Sequence, residues 1–129
     1  MVTTPQLAAA EVAERAGSIA LQTRQRIVGV VENMSWLVLP DGAKMQVFGE
    51  GGGQQVAERL SRAVGADVPL LGQIPLDPAL VAAGDSGVPM VLSAPDSAAG
   101  KELRNIADAL SSRQRGLAGM SLGLDPVRR

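Results

Sequence analysis

The run RIVGVVENMS at residues 26–35 constrains this chain more than any other stretch. Ile27, Val28, Gly29, Val30 and Val31 form an apolar, mostly β-branched block, which gives way abruptly to Glu32, Asn33, Met34 and Ser35. A strand with one wet face alternates polar and apolar residues, whereas a strand covered by helices on both faces does not. The block therefore predicts a buried strand of a parallel sheet. In open sheets of that kind ligands bind at the carboxyl ends of the strands. Asn33 stands at that end, where its carboxamide offers one acceptor and two donors to a flat heterocycle. The same side chain can instead tie down a turn by bonding its own backbone, and local pattern leaves both readings open.

At 129 residues the chain has length for one domain core and little room for two. It is 46% hydrophobic and 19% charged, a globular balance, but with one Trp, one Phe and no Tyr its core must be built from Val, Leu, Ile and Ala. Twelve basic against thirteen acidic residues leave no basic excess for displacing counterions, so no nucleic-acid partner is expected. Cys and His are both absent, which removes disulfides, thiolate metal sites and the commonest general base. No apolar stretch approaches a membrane span of about 20 residues, and MVTTPQ does not read as a secretion signal, so a cytoplasmic protein without a membrane partner is expected.

In chain order, residues 1–4 read as the tail of a strand stopped by Pro5, and residues 6–22 as an amphipathic helix with Ala8, Val12, Ala16, Ile19 and Ala20 on its apolar face. After the central strand come two short runs flanking Asp41-Gly42, the signature of a two-residue hairpin, with Trp36, Val38, Met45 and Val47 expected on one face. The glycines at 49 and 51–53 open a helix carrying Val56, Leu60 and Val64. Such an entry either holds an anion on free N–H groups or lets the backbone pack closely, and it is not a P-loop, because Gln54 and Gln55 stand where Lys and Ser/Thr are needed. VPLLGQI at residues 68–74 predicts a second buried strand ending in Pro75-Leu76-Asp77-Pro78. A short helix at 80–83 is expected to break at Gly84-Asp85-Ser86-Gly87, with Met90, Val91 and Leu92 as an edge strand or an extended connection. A last helix follows, capped by Asp96 or Ser97, with Ala99, Leu103, Ile106, Ala107 and Leu110 inward and Lys101, Glu102, Arg104 and Asp108 outward. The domain is expected over residues 1–113, with 114–129 a disordered tail.

Five motifs can then be read together: VTTPQ (residues 2–6), GVVENMS (29–35), FGEGGG (48–53), LGQIPLDP (71–78) and AGDSGVP (83–89). In this order and at this spacing they resemble the C-terminal half of the Mrp (ApbC-like) family of P-loop ATPases, which are iron-sulfur cluster carriers or scaffolds. The resemblance implies an α/β fold: a partial parallel sheet with flanking helices, the C-terminal half of a deviant-Walker-A, Rossmann-like P-loop NTPase, with a surface β-hairpin. It implies ATP and Mg²⁺ as cofactors, a homodimer, and iron-sulfur apo-proteins as partners. By the same analogy Asn33 contacts adenine, and Pro75 and Asp77 lie beside the base.

Two departures from that family pattern stand out. Its phosphate loop, catalytic aspartates and Mg²⁺ ligands precede the VTTPQ segment, so this chain by itself is expected neither to bind ATP tightly nor to hydrolyse it. A Cys-x-x-Cys pair that many members carry after the NMS motif is replaced by Leu39-Pro40-Asp41-Gly42, which removes the cluster thiolates. The competing readings are a fragment or truncated form of such a carrier, favoured by Met1 lying within a strand, and a non-catalytic dimerisation or interaction module. Part of a related positioning or partition-type ATPase is a further alternative. An unrelated enzyme using Glu32, Asp77 and Asp85 is the weakest, since no pairing of those carboxylates is evident.

Overall fold

Val30 and Val31 belong to two different cores. Val30 packs with Ala10, Ala13, Val56, Ala57, Leu60 and Val68, whereas Val31 packs against Ile74, Met90, Ala99 and Ile106. Successive strand residues face opposite sides of a sheet, so helices cover this strand on both sides, as its unalternating sequence requires. Leu70 and Leu71 of the neighbouring strand repeat the division.

The computed structural model describes residues 1–115; of the expected disordered tail, 114–129, the first two residues continue the last helix and the rest lie outside the described residues. The element order is β1 (Val2–Thr3), α1 (Leu7–Gln22), β2 (Val30–Val38), β3 (Lys44–Met45), α2 (Gly52–Val64), β4 (Leu70–Leu76), α3 (Pro78–Ser86), α4 (Met90–Ser93) and α5 (Ala98–Arg115). β2 is central: β1 pairs parallel to it through Val2 and Val31, β4 pairs parallel from Val30 opposite Leu70, and β3 pairs antiparallel at its far end. The fold is thus a mixed α/β arrangement with a partly parallel sheet and flanking helices, as expected.

Several boundaries differ from expectation. β2 starts at Val30 rather than Ile27, because α1 ends in a left-handed turn at Arg24 (φ 56°) and the residues after it are spent on the connection. The strand then runs through Glu32-Asn33-Met34-Ser35 instead of ending there. Two extra residues are absorbed as a bulge, since Asn33 faces Ile74 but Leu37 faces Leu76, and Met34 (φ 59°) takes the left-handed conformation within it.

The buried face of α1 is not the one with the large side chains. Ala10, Ala13, Gly17 and Ala20 face inward, while Val12 and Ile19 are 67% and 59% exposed. A Cβ on Gly17 would collide with the Leu60 side chain, so only a seam of small residues lets α1 and α2 approach this closely.

The hairpin uses a five-residue connection, not a two-residue one. Gly42 N–H donates to the Leu39 carbonyl at 2.8 Å, Leu39 N–H to that of Ala43 at 2.8 Å, and Ala43 N–H to Asp41 Oδ1 at 2.9 Å. Pro40 suits the first central position of an ordinary turn, which needs one positive φ afterwards, at Gly42 (85°), and not two. Because Leu37 faces Met45 and Val38 faces Lys44, Trp36 and Val38 share a face with Lys44, and Met45 lies on the other.

Further along, β4 continues to Leu76, and Gly84-Asp85-Ser86 lies inside α3, which ends at left-handed Gly87. Met90, Val91 and Leu92 are helical, not extended. Ser97 Oγ accepts from Gly100 N–H at 3.0 Å and caps α5, whose Ala99 and Ile106 are buried as expected but whose Ala107 is exposed.

Candidate functional site

The carboxyl ends of β2 and β4 lie side by side, with Asn33 opposite Ile74. Asn33 is half-buried and its Oδ1 accepts from the Met34 backbone N–H at 2.9 Å. The side chain therefore does stabilise its own bulge. Its Nδ2 group has no protein partner among the described residues and remains able to donate to an acceptor nitrogen.

Pro75 is fully buried, and Asp77 Oδ1 accepts from Ala79 N–H at 2.9 Å as the N-cap of α3, with Pro78 at the first helical position. Pro75 and Asp77 line a cleft of about 180 Å³ together with Leu37, Val38 and Leu76. Asn33 does not line it. The structure thus joins two of the three expected residues and leaves Asn33 on the adjoining strand, and the cleft is smaller than the roughly 300 Å³ at which ligand pockets begin.

Glu32 is the residue that pattern reading passed over. It is 1% exposed, its Oε2 accepts from Gly53 N–H at 2.6 Å, and its Oε1 accepts from Gln73 Nε2 at 2.8 Å. Ser35 Oγ donates to the Glu32 carbonyl at 3.2 Å, closing the bulge from the other side. A helix N-terminus attracts an anion, and here the anion is the chain's own carboxylate. The glycine entry is also close-packed: a Cβ on Gly52 would meet the Pro5 carbonyl, and one on Gly53 would lie 2.7 Å from Glu32 Cβ. A single acid at the end of an apolar strand, followed by a glycine-led helix, is the signal that could have linked the two.

A wider polar cleft of about 530 Å³ opens beside Glu32, lined by Trp36, Lys44, Gln46, Glu50 and Gln73, with Lys44 Nζ 3.8 Å from the centre of the Trp36 ring. Glu32, Asp77 and Asp85 have separate settings: Glu32 ties β2 to α2, Asp77 caps α3, and Asp85 is exposed on α3. Among the described residues no cluster of carboxylates could hold a metal ion, and no helix is long and apolar enough to cross a membrane.

A partly parallel sheet covered on both faces, with polar residues at adjoining strand ends, is an arrangement found in part of the P-loop NTPase fold. MinD from Pyrococcus furiosus aligns over 86% of this chain and 40% of its own, with a TM-score of 0.62 at 22% identity; MinD from Pyrococcus horikoshii, solved with Mg-ADP, aligns over 95% and 44%, also at 0.62, with 20% identity. At that identity the likeness establishes the fold alone.

The sequence profile of ParA, described as NUBPL iron-transfer P-loop NTPase, matches residues 1–111, and the chain belongs to that family. An "Iron-sulfur cluster carrier protein" of Mycobacterium tuberculosis is 88% identical over all 129 residues, and one of Saccharolobus solfataricus is 42% identical over 109 residues, 84% of this chain. The chain spans about a third of the length of these relatives, 34% and 35%.

Proposed function

We propose that this chain is the base-side, C-terminal portion of an ATP-dependent iron-sulfur cluster carrier. Within it Asn33 contacts the adenine of ATP, with the β4 end at Pro75 and Asp77 alongside. The observation that carries this reading is the juxtaposition of the β2 and β4 carboxyl ends, with Asn33 Nδ2 free of protein partners among the described residues.

The residues present do not fit the rest of the nucleotide. The glycine-led helix start is filled by Glu32, and no Lys with a following hydroxyl stands after it to cradle phosphates. Nor do they fit the cargo cluster, for which the chain offers neither Cys nor His. In this reading the phosphate loop, the Mg²⁺ ligands and the cluster thiolates come from other segments of the longer protein or from its partner in a homodimer, and iron-sulfur apo-proteins are the recipients.

The test has two arms. Calorimetric titration of this chain alone with Mg-ATP is expected to show no micromolar binding. In the full-length protein, Asn33→Ala is expected to weaken nucleotide binding about tenfold, the worth of one buried hydrogen bond of about 1 kcal/mol or slightly more. Unchanged affinity in that variant would remove Asn33 from the base site.

A further inference from the structure

Asn33 stands at the start of a bulge, where no regular ladder holds the backbone. Between the pairs Asn33–Ile74 and Leu37–Leu76, β2 carries two residues more than β4, so cross-strand pairing lapses there. Met34 adds a left-handed φ of 59°, a conformation that a side chain disfavours and that persists only where the surroundings over-determine it. One local bond contributes, from Met34 N–H to Asn33 Oδ1 at 2.9 Å. That bond also decides which end of the amide is free. Oδ1 is engaged, and Nδ2 has no protein partner among the described residues.

The residue before Asn33 is held far more firmly. Glu32 is 1% exposed, and its carboxylate accepts from Gly53 N–H of α2 at 2.6 Å and from Gln73 Nε2 of β4 at 2.8 Å. Its carbonyl accepts from Ser35 Oγ at 3.2 Å, on the other side of Asn33 and Met34. Residues 33–52, which hold the bulge and the hairpin, thus leave the body of the fold at Glu32 and rejoin it at Gly53. The Glu32–Gly53 bond closes this excursion at its base.

Filling this place does not require a carboxylate. Val30, two residues earlier on the same face, is fully buried among apolar side chains, and a Leu or Met at position 32 would occupy similar volume without desolvating a charge. A doubly bonded carboxylate adds direction, because it fixes one point of β2 against two other elements at once. A side chain that contacts a ligand works only when neighbours hold it within about 0.5 Å of its productive position.

We propose that Glu32 is a positioning residue of the nucleotide site. Its carboxylate anchors the start of the bulge to α2 and β4, and so sets the Asn33 amide with Oδ1 turned to Met34 N–H and Nδ2 left to donate to the base. This rests on the reading of Asn33 as the adenine contact. Glu32 itself touches no nucleotide and acts through Asn33.

The test is a double-mutant cycle in the full-length protein, read by calorimetry as the Kd for Mg-ATP. Glu32→Asp is one methylene too short to reach both Gly53 and Gln73. It is expected to weaken binding about fivefold, within the tenfold of Asn33→Ala, whereas Glu32→Gln, which can keep both bonds, is expected to stay within about twofold of the parent. In the Asn33→Ala background, Glu32→Asp is expected to change affinity by less than about twofold, because the group it positions is gone. A residue that supports only the fold would lower affinity by the same factor in both backgrounds. Should Glu32→Asp not fold, Gln73→Leu removes one of the two bonds at similar volume and gives the same comparison, with a loss of about threefold expected only where Asn33 is present. Equal losses in both backgrounds, a loss in Glu32→Gln as large as in Glu32→Asp, or no loss from either site while Asn33→Ala weakens binding would each overturn the positioning role and leave the base site standing. Unchanged affinity in Asn33→Ala would overturn the base site and the positioning role together.

Discussion

Glu32 joins three elements through one side chain. Its two oxygens accept from Gly53 at the start of α2 and from Gln73 on β4, while its backbone belongs to β2. Glu32→Ala would strand both donors in the interior and open a cavity, at a cost of about 3–4 kcal/mol when the unsatisfied groups and the lost volume are combined. Glu32→Gln can keep both bonds if the Gln73 amide turns over, and should cost only about 1 kcal/mol for the lost charge assistance. Urea denaturation of the two variants checks this, and near-equal loss in both would show that the carboxylate is not the clamp. Pattern reading missed the role of Glu32, because its partners lie 21 and 41 residues away and only the glycine-led start of α2 hints at one of them. The local bonds of Asn33 and Asp77 span one and two residues, and the residue types alone suggest them.

Among the elements, α1 shows what pattern reading can and cannot reach. Its existence followed from helical spacing, but its inward face did not, since Ala10, Ala13 and Gly17 outrank Val12 and Ile19 only because Leu60 of α2 lies against Gly17. Hydrophobicity ranks side chains by size, and close helix approach reverses that rank. The end of α1 carries a strained residue: Arg24 N–H donates to the Leu21 carbonyl at 3.1 Å and Gln25 N–H to that of Ala20 at 2.8 Å, a left-handed closing turn that glycine fills most easily. Arg24→Gly is therefore expected to stabilise the chain by about 1 kcal/mol by removing the Cβ clash of the left-handed conformation. A higher thermal midpoint checks it; a lower one would mean that the Arg24 side chain contributes more than the strain costs. The hairpin was legible in position from Asp41-Gly42, but its five-residue form depended on Pro40, which fits an ordinary turn.

At the scale of the whole molecule, the ligands a chain lacks limit what it can carry. Incubation of this chain with iron and sulfide is expected to leave it colourless after desalting, since carboxylates and carbonyls are hard donors poorly matched to a cluster. A stoichiometric visible absorbance band would contradict that. Stability is the second limit. Val2, Leu7, Val12, Ile19, Val81 and Leu92 are each more than half exposed, β1 has only two residues, and the hydroxyl of Thr3 is buried with no hydrogen-bond partner among the described residues. Each large aliphatic side chain left in water forgoes roughly 1.5–3 kcal/mol, while an ordinary domain is stable by only about 5–15 kcal/mol. A few such positions are enough to make the balance marginal, and exposed apolar surface then promotes association. The chain alone is accordingly expected to self-associate at micromolar concentration and to bind hydrophobic dyes, and the remaining two thirds of a full-length relative, supplied in trans, should relieve both. A monodisperse monomer with a sharp, cooperative melt would instead show that the sheet and its helices suffice by themselves, and the reading of the chain as a self-sufficient interaction module would then displace that of a carrier's portion.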